Sequence, residues 1–381
     1  MSDIPPGTIL DTLASLHQKG SATDKLRVIH NEILRHMSFV DRIATAIYEP
    51  ERDLIKTFIH SSDGDSALTF YQSTLAESRS LTEIANSRQP RVINDLDIFR
   101  DVGKHHSKRI AERGYGSSYT TPFFNNGQLA GFIFINSYDK HVFTETSCEL
   151  LSPFVHLIGL MVSKEMDQIA ILFGSVTSAL DISHHRDPET GAHLKRMSRY
   201  SRLIAKRMGP DHGIDDEFIE YLFRFAPLHD VGKIAIPDRI LLKPERLTGD
   251  EFELMKQHTS AGREIMQRML DNFKLQEMPF INMLHNIVEL HHEAIDGSGY
   301  PHGLKGDAIP LEARIIAVAD IFDALTSERP YKKAWSNEEA FAELHRLAVA
   351  GKIDGNCVDA MERCIEDITA IQHKFEDDPL G

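Results

Sequence analysis

Histidine and aspartate residues recur in the second half of the chain at spacings that suit a metal site. His229 and Asp230 are adjacent, His258 follows within KQHTSAG, and His291 and His292 are again adjacent. Imidazole nitrogens and carboxylate oxygens together are ligands that transition metals prefer. Adjacent histidines alone are weak evidence, since on a helix they point about 100° apart. The whole set predicts one metal centre.

Further carboxylates extend this predicted centre. Asp320 lies in the apolar run VADIFDAL, and Asp323 is interpreted as a hydrogen-bond partner of the site rather than as a ligand. Upstream, Glu189 and His193 are four residues apart, so on a helix they would share a face and reach one ion. Taken alone, such a pair is more often exposed and solvated. Lys233, one turn after His229-Asp230, would lie near an anion on the metals.

Length, charge and cysteine content narrow the class of protein. The chain has 381 residues, 41% of them hydrophobic, which suggests two or three domains. A formal charge of -15 disfavours DNA binding but leaves room for a small phosphorylated substrate held by metals. Three scattered cysteines predict no structural disulfide. We find no signal peptide and no run of roughly 20 uncharged apolar residues, so we expect a cytoplasmic protein without a membrane span.

The first half of the chain mixes helical and strand patterns. Leu26, Ile29 and Ile33 share a helical spacing, which predicts a helix over 22–37. The other predicted elements are a strand–turn–strand unit over 42–59, a helix over 80–88, a strand over 91–94, strands over 117–124 and 130–136 joined by Asn125-Asn126-Gly127, and a helix that opens at Phe143-Thr144.

This order of helix, hairpin, helix, strand, hairpin and helix is α+β, and residues 20–165 resemble a GAF domain. The segments that carry the resemblance are RIATAIYEPERDLIKTFI, PRVINDL and SYTTPFFNNGQLAGFIFINS. GAF domains often sense small ligands or dimerise through flanking helices, so the resemblance implies a sensory or regulatory domain with a small ligand still to be identified. His60, His105 and His106 have no metal spacing and are interpreted as solvated loop residues.

A long apolar stripe predicts a helix over about 146–181 that joins the two halves. Its length allows packing on its own domain or on a second copy of the chain. A joining helix with domains at its ends needs a partner for its apolar side, so we expect a homodimer through this helix.

The second half is assigned to residues 166–381, and from Ser175 to its end it reads as almost entirely helical. It contains five motifs in this order: RDPETGAH (186–193), HDVGK (229–233), HTSAG (258–262), HHEAIDGSGYP (291–301) and ADIFDALTSERPY (319–331). Over about residues 175–370, these motifs and their order resemble the HD-GYP family of HD-domain metal-dependent phosphohydrolases. The resemblance implies an all-α helical bundle. It also implies hydrolysis of cyclic di-GMP, a bacterial second messenger, to linear pGpG or GMP.

Carried over by position, the resemblance assigns metal ligands and substrate contacts. Glu189 matches a glutamate of only some members, where it is the extra ligand of a three-metal site, so two to three divalent ions are expected. Lys233 matches a phosphate contact, as do Arg329 and Lys332, and Asp230 and Lys233 are the expected catalytic residues. The seven positions that match the family's metal ligands are His193, His229, Asp230, His258, His291, His292 and Asp320.

The expected chemistry agrees with these residue types. A phosphodiester is an anion that resists attack by water, and closely spaced cations both activate a water and neutralise charge on the phosphoryl oxygens. Ligation by histidine and carboxylate without thiolate suits iron or manganese, with zinc also compatible. The resemblance favours iron. The segment 296–301 is predicted to form a loop over the site. Tyr300 in this loop either packs structurally, which is the favoured interpretation, or faces the ligand.

Two features depart from the family pattern, and two other functions compete with this interpretation. Thr259 stands where the family usually has proline, and residues 271–280 resemble a lengthened loop that would alter access. A non-hydrolysing nucleotide sensor is one alternative, although such members usually lose ligands that this chain keeps. The other is a different substrate, such as a mixed GMP-AMP cyclic dinucleotide or linear pGpG, because nothing in the motifs reads the base.

Overall fold

The computed structural model describes residues 11–62, 70–99, 113–182, 191–328 and 333–375. Five of the residues singled out above therefore lie outside the described residues: Glu189, Arg329, Lys332, His105 and His106. The chain divides into two compact units, Met1–Asp167 and Gln168–Gly381. The domain limits 20–165 and 166–381 stay a prediction.

The first unit is an α+β domain built on a six-stranded antiparallel sheet with the order β3-β2-β1-β6-β5-β4. Apolar side chains alternate across the sheet, so each face buries a separate core. One core joins α1 and α3 to the sheet, and the other lies on the face of α2. The elements are α1 Ala22–His36, β1 Arg42–Glu49, β2 Leu54–Ser62, β3 Gln72–Thr74, α2 Arg79–Ser87, β4 Arg91–Ile93, β5 Ser117–Asn125, β6 Gln128–Ser137 and α3 Glu145–Ile182.

The β5–β6 hairpin forms where the sequence predicted it. Asn126 and Gly127 both adopt positive φ, 49° and 81°, which is the backbone that a tight two-residue hairpin turn requires. Asn and Gly are the residues that reach this region at the lowest steric cost.

Helix α3 is the long helix that the apolar stripe predicted. Leu151, Val155 and Ile158 on this helix are buried in the first unit's core. Within the described residues, the stretch Glu145–Val176 is long and apolar enough to cross a membrane by length and composition alone, a test that core helices of soluble proteins also pass. The expected absence of a membrane span stays a prediction.

Within its described residues, the second unit contains helices and no strands, as predicted. Buried aromatic contacts organise its core: the rings of Tyr200 and Phe322 meet edge to face at 5.5 Å, and Phe322 lies 5.0 Å from Phe341. Its helices are α4 Gly191–His212, α5 Asp216–Phe225, α6 Asp238–Leu241, α7 Gly249–Asn272, α8 Ile281–Leu290, α9 Leu311–Thr326, α10 Asn337–Val349, α11 Gly355–Glu362 and α12 Ile365–Lys374.

Candidate metal centre

Helices that are distant in the sequence bring the candidate ligands together. His193 lies in the first turn of α4, His258 in the middle of α7, and Asp320 on α9, while the two adjacent pairs occupy short irregular segments. In each of two groups, the ligand atoms lie within 4.8 Å of one another. The first group is Asp230, His258, His291 and His292, and the second is His193, His229 and Asp320.

The Asp230 carboxylate lies between the two groups. Its Oδ1 is 3.1 Å from His258 Nε2 and 3.5 Å from His291 Nε2, both in the first group. Its Oδ2 is 3.4 Å from Nε2 of His229, which belongs to the second group. Asp320 Oδ1 faces the same His229 nitrogen at 4.0 Å. One oxygen therefore faces each group, as a carboxylate that bridges two cations would.

Backbone carbonyls fix the orientation of three of the imidazoles. The Nδ1 atoms of His229, His258 and His291 lie 3.0, 2.8 and 2.9 Å from the carbonyl oxygens of Ala226, Met255 and Ile287 respectively. In a neutral imidazole this places the proton on Nδ1 and leaves the Nε2 lone pair directed into the cluster.

These lone pairs supply the test of whether the residues fit a metal. Nε2 of His258 and of His291 and Oδ1 of Asp230 are buried and make no hydrogen bond of ordinary geometry within the part of the chain that the structure describes. Buried acceptors that face one another repel unless a cation lies between them. The donor set therefore fits divalent ions.

The protonation states also favour cation binding. Burial would raise the pKa of the Asp230 carboxyl, but the proximity of His229 and Lys233 holds it well below its usual range. Burial lowers the pKa of His291 and of His292. At neutral pH the carboxylate is therefore ionised and these two imidazoles are neutral, which are the forms that bind metals.

A close backbone contact between two glycines positions the HDVGK segment against α7. A Cβ on Gly232 would lie 1.8 Å from the carbonyl oxygen of His258 and 2.5 Å from the amide nitrogen of Gly262. A Cβ on Gly262 would in turn lie 2.6 Å from Val288. Only glycine permits this approach, which places Asp230 beside His258. The sequence showed these glycines within the motifs but gave no sign that they touch.

The threonine that replaces the family's usual proline leaves α7 regular. Thr259 is fully buried, and its hydroxyl donates to the Lys256 carbonyl at 3.0 Å. The helix continues through this position from Gly249 to Asn272, so the candidate ligand His258 keeps a helical backbone.

A buried hydrogen-bond network holds His193 from the side opposite the cluster. His193 Nδ1 lies 2.8 Å from Asp323 Oδ2, which supports the predicted role of Asp323 as a partner of a ligand. Arg196 donates to both Asp323 oxygens, through Nε at 2.6 Å and Nη2 at 3.0 Å. It also donates to the Ser327 hydroxyl at 2.7 Å and to the Phe375 carbonyl at 2.7 Å.

Arg196 is a positioning residue that the sequence interpretation missed. The available signal was its spacing, because residues three apart on a helix lie on one face and Arg196 follows His193 by three. We expect Asp323→Asn to weaken metal binding about 10–100-fold, the usual cost of losing a partner of a metal ligand. Arg196→Lys should weaken it too, because lysine lacks the planar fork that contacts both oxygens.

Chelator competition on the purified protein measures both effects, with Arg207→Lys on the exposed side of the same helix as the control. Unchanged metal affinity in both Asp323→Asn and Arg196→Lys would show that the network only stabilises the fold.

The loop after the double histidine packs on the centre. The Tyr300 ring stacks on His292 at 4.8 Å, and the Tyr300 amide donates to the His292 carbonyl at 3.1 Å. A Cβ on Gly299 would lie 2.2 Å from the Ala294 amide nitrogen, so glycine is needed for this approach. Glu293 accepts from the backbone amides of His302 and Leu304, at 2.7 and 2.9 Å. Tyr300 thus packs against His292, a candidate ligand.

Family models match both units. An HD domain model matches residues 189–357, and a GAF domain model matches residues 21–163. The chain carries a GAF domain followed by an HD domain. The two groups of candidate ligands lie in the HD domain.

Curated relatives match about half to two thirds of this chain. A cyclic di-GMP phosphodiesterase response regulator of Xanthomonas campestris is 48% identical over 180 residues, 47% of this chain and 44% of the relative. A cyclic di-GMP phosphodiesterase of Thermotoga maritima is 43% identical over 198 residues, which are 52% of this chain and 50% of the relative. A 3'3'-cGAMP-specific phosphodiesterase of Vibrio cholerae is 33% identical over 251 residues, which are 65% of this chain and 45% of the relative. The chain spans half or less of the length of each.

Among solved structures, a GAF domain from an Acinetobacter phosphoenolpyruvate-protein phosphotransferase matches with a TM-score of 0.32 and 14% identity, covering 41% of this chain and 94% of that one. A GAF domain/HD domain protein from Geobacter sulfurreducens matches with a TM-score of 0.30 and 16% identity, and the match covers 38% of this chain and 94% of that one.

Proposed function

We propose that the HD domain hydrolyses cyclic di-GMP to pGpG or GMP with two to three divalent metal ions. The observation that carries this proposal is the Asp230 carboxylate, which faces one group of candidate ligands with each oxygen. Ions held in this way would activate a water and neutralise charge on the phosphodiester. The names of the relatives support the choice of substrate.

The residues of this chain divide into ligands and a substrate contact. The seven ligands are the two groups described above, with Glu189 proposed as a further ligand. Lys233 Nζ lies 2.7 Å from Asp230 Oδ2, so its ammonium group is next to the carboxylate that lies between the two groups of candidate ligands. There it would hold a non-bridging phosphate oxygen through a charge-assisted hydrogen bond. Arg329 and Lys332 are proposed to hold the other phosphate oxygens.

We propose iron as the resident metal, with manganese as the alternative. The described ligand set contains histidine nitrogens and carboxylate oxygens and no thiolate, which suits these ions. We also propose that the protein is located in the cytoplasm and that its GAF domain binds a small ligand, which is still to be identified.

Anaerobic turnover of cyclic di-GMP by the purified protein, with metal counted on the same sample, tests this function. We expect hydrolysis with two to three ions per chain, lost in the variant His229→Ala/Asp230→Ala. A fully metallated protein that binds cyclic di-GMP and leaves it intact would contradict the proposed reaction. 3'3'-cGAMP is assayed in parallel because one relative is named for that substrate. Faster hydrolysis of 3'3'-cGAMP than of cyclic di-GMP would identify 3'3'-cGAMP as the preferred substrate.

We also propose that the chain dimerises through α3. Leu160 and Ile171 on this helix are 69% and 52% exposed in the single chain, so a second copy could bury them. The double variant Leu160→Glu/Ile171→Glu is expected to sediment as a monomer, whereas Glu149→Gln on the same helix should leave the dimer intact. Sedimentation velocity makes the measurement, and a monomeric unmodified protein would refute the dimer.

A further inference from the structure

A buried row of polar side chains crosses one face of the GAF sheet. Arg42 on β1 is in register with Ser62 on β2 and with Asn136 on β6, which is in register with Ser118 on β5. Side chains alternate along a strand, so Asn136 shares the face of Phe134, which is the α2 side of the sheet. Arg42 and Asn136 are each 1% exposed.

The Arg42 guanidinium is a buried cation without a carboxylate partner. Among residues 11–62, 70–99 and 113–182, no carboxylate forms an ion pair with it, and its Nε makes no hydrogen bond. Nη1 donates to Asn136 Oδ1 at 2.9 Å, and Asn136 Nδ2 donates onward to the Ser118 hydroxyl at 3.0 Å. Buried charges are costly unless they are paired. Among the described residues of this unit, the groups that contact this cation are uncharged and do not compensate its charge.

A second arginine lies on the same face of the sheet, with an acidic residue near it. Arg91 on β4 is in register with Thr120, two residues after Ser118, and so lies on the same face of the sheet. Its pKa is lowered by burial and raised by Glu83, the acidic group near it. Tyr115 and Tyr138 also lie near Arg42, and their rings stack with centroids 4.5 Å apart.

A purely structural role explains this arrangement poorly. An uncharged side chain of similar length would fill the same volume without a desolvation cost. Arginine is favoured where a planar fork of donors must hold a carboxylate or phosphate. We propose that Arg42, Asn136 and Ser118 form a binding site in the GAF domain for a small anion that carries a carboxylate or phosphate group. This proposal does not depend on the reaction of the HD domain.

Calorimetric titration of the full chain with inorganic phosphate and with succinate tests the site, with neutral succinamide as the uncharged control. The protein carries Asp230→Ala and is treated with chelator, so that anions cannot bind at the HD metal centre. We expect one of the two anions to bind and succinamide not to bind. Phosphate and succinate distinguish the two ligand classes.

Substitution and hydrogen exchange locate the binding. Arg42→Gln should weaken it at least about tenfold, the scale of a lost hydrogen bond to a charged group. Arg27→Gln, an exposed arginine on α1, should leave it unchanged. In the protein with its native Arg42, the anion should slow amide exchange in the β1 and β6 segments.

Removing an uncompensated charge should also leave the anion-free Arg42→Gln protein as stable as its parent, or more stable. The proposal fails if neither anion binds, if Arg42→Gln binds as tightly as its parent, or if protection appears only outside these strands. Arg42 is then a structural residue, and Arg42→Gln would lower the melting temperature whether or not the anions are added.

Discussion

Asp230→Asn is expected to release metal from both groups of ligands at once. The substitution keeps the volume of the side chain but removes its charge, and each carboxylate oxygen faces a different group. Two cations held in the two groups without a carboxylate between them would repel each other. We expect turnover to fall by at least about 10²–10³-fold, the scale associated with loss of one preorganised electrostatic element.

The comparison that isolates the bridge is Asp320→Asn. Asp320 belongs only to the second group, so this variant should lose metal from that group and keep metal in the first. Asp359→Asn, on the exposed side of α11, should retain full metal content and full activity. Elemental analysis of the three proteins decides the matter. If Asp230→Asn and Asp320→Asn lose the same amount of metal, Asp230 is not a bridge.

Gly232→Ala is expected to disrupt the HD domain more than its small size suggests. The added methyl would lie 1.8 Å from the His258 carbonyl oxygen and 2.5 Å from the Gly262 amide nitrogen. Both of these are backbone atoms, which cannot rotate away as a side chain could. The segment Val231–Ala235 must then move from α7, and Asp230 moves with it. We expect a loss of about 3 kcal/mol or more in the free energy of unfolding, at or above the usual upper range for overpacking. Metal affinity should fall as well.

Urea unfolding followed by circular dichroism measures the stability, and chelator competition measures the affinity. The matched control is Gly249→Ala in the first turn of α7, where an added Cβ meets nothing within 4 Å. That variant should be unchanged or slightly more stable, because alanine lowers the entropy of the unfolded chain. Equal behaviour of the two alanine variants would mean that the backbone can relax around Gly232 without cost.

The elements that the sequence predicted well depend on local interactions. The Asn126-Gly127 turn needs positive φ at two consecutive positions, and few residue pairs provide it, so the hairpin was visible in the sequence. Helix α1 was visible because its apolar residues repeat with the helical period. The three-residue strands β3 and β4 carry little periodicity, and of these only β4 was predicted. Strand β3 exists because β2 offers an edge with which it pairs.

Residue types and motif order indicated which side chains would meet in the metal centre, and the structure brings seven of them together. The contacts that fix their geometry could not be predicted. The tethering of His258 to the Met255 carbonyl involves a backbone atom, and so does the contact of Gly232 with α7. Backbone atoms are the same in every sequence. Arg196 was missed for a different reason, since its partner Asp323 is 127 residues away.

Arg196, which supports the candidate ligand His193 through Asp323, donates a hydrogen bond to the backbone carbonyl of Phe375. This support requires that the chain extend to residue 375, whichever side chain that residue carries. Any amino acid at position 375 supplies the same acceptor, so no substitution there removes it, whereas ending the chain one turn earlier does. Homologous sequences could therefore diverge freely at this position while each retains the contact. A shortened expression clone would lose support for His193 although every candidate ligand is still encoded.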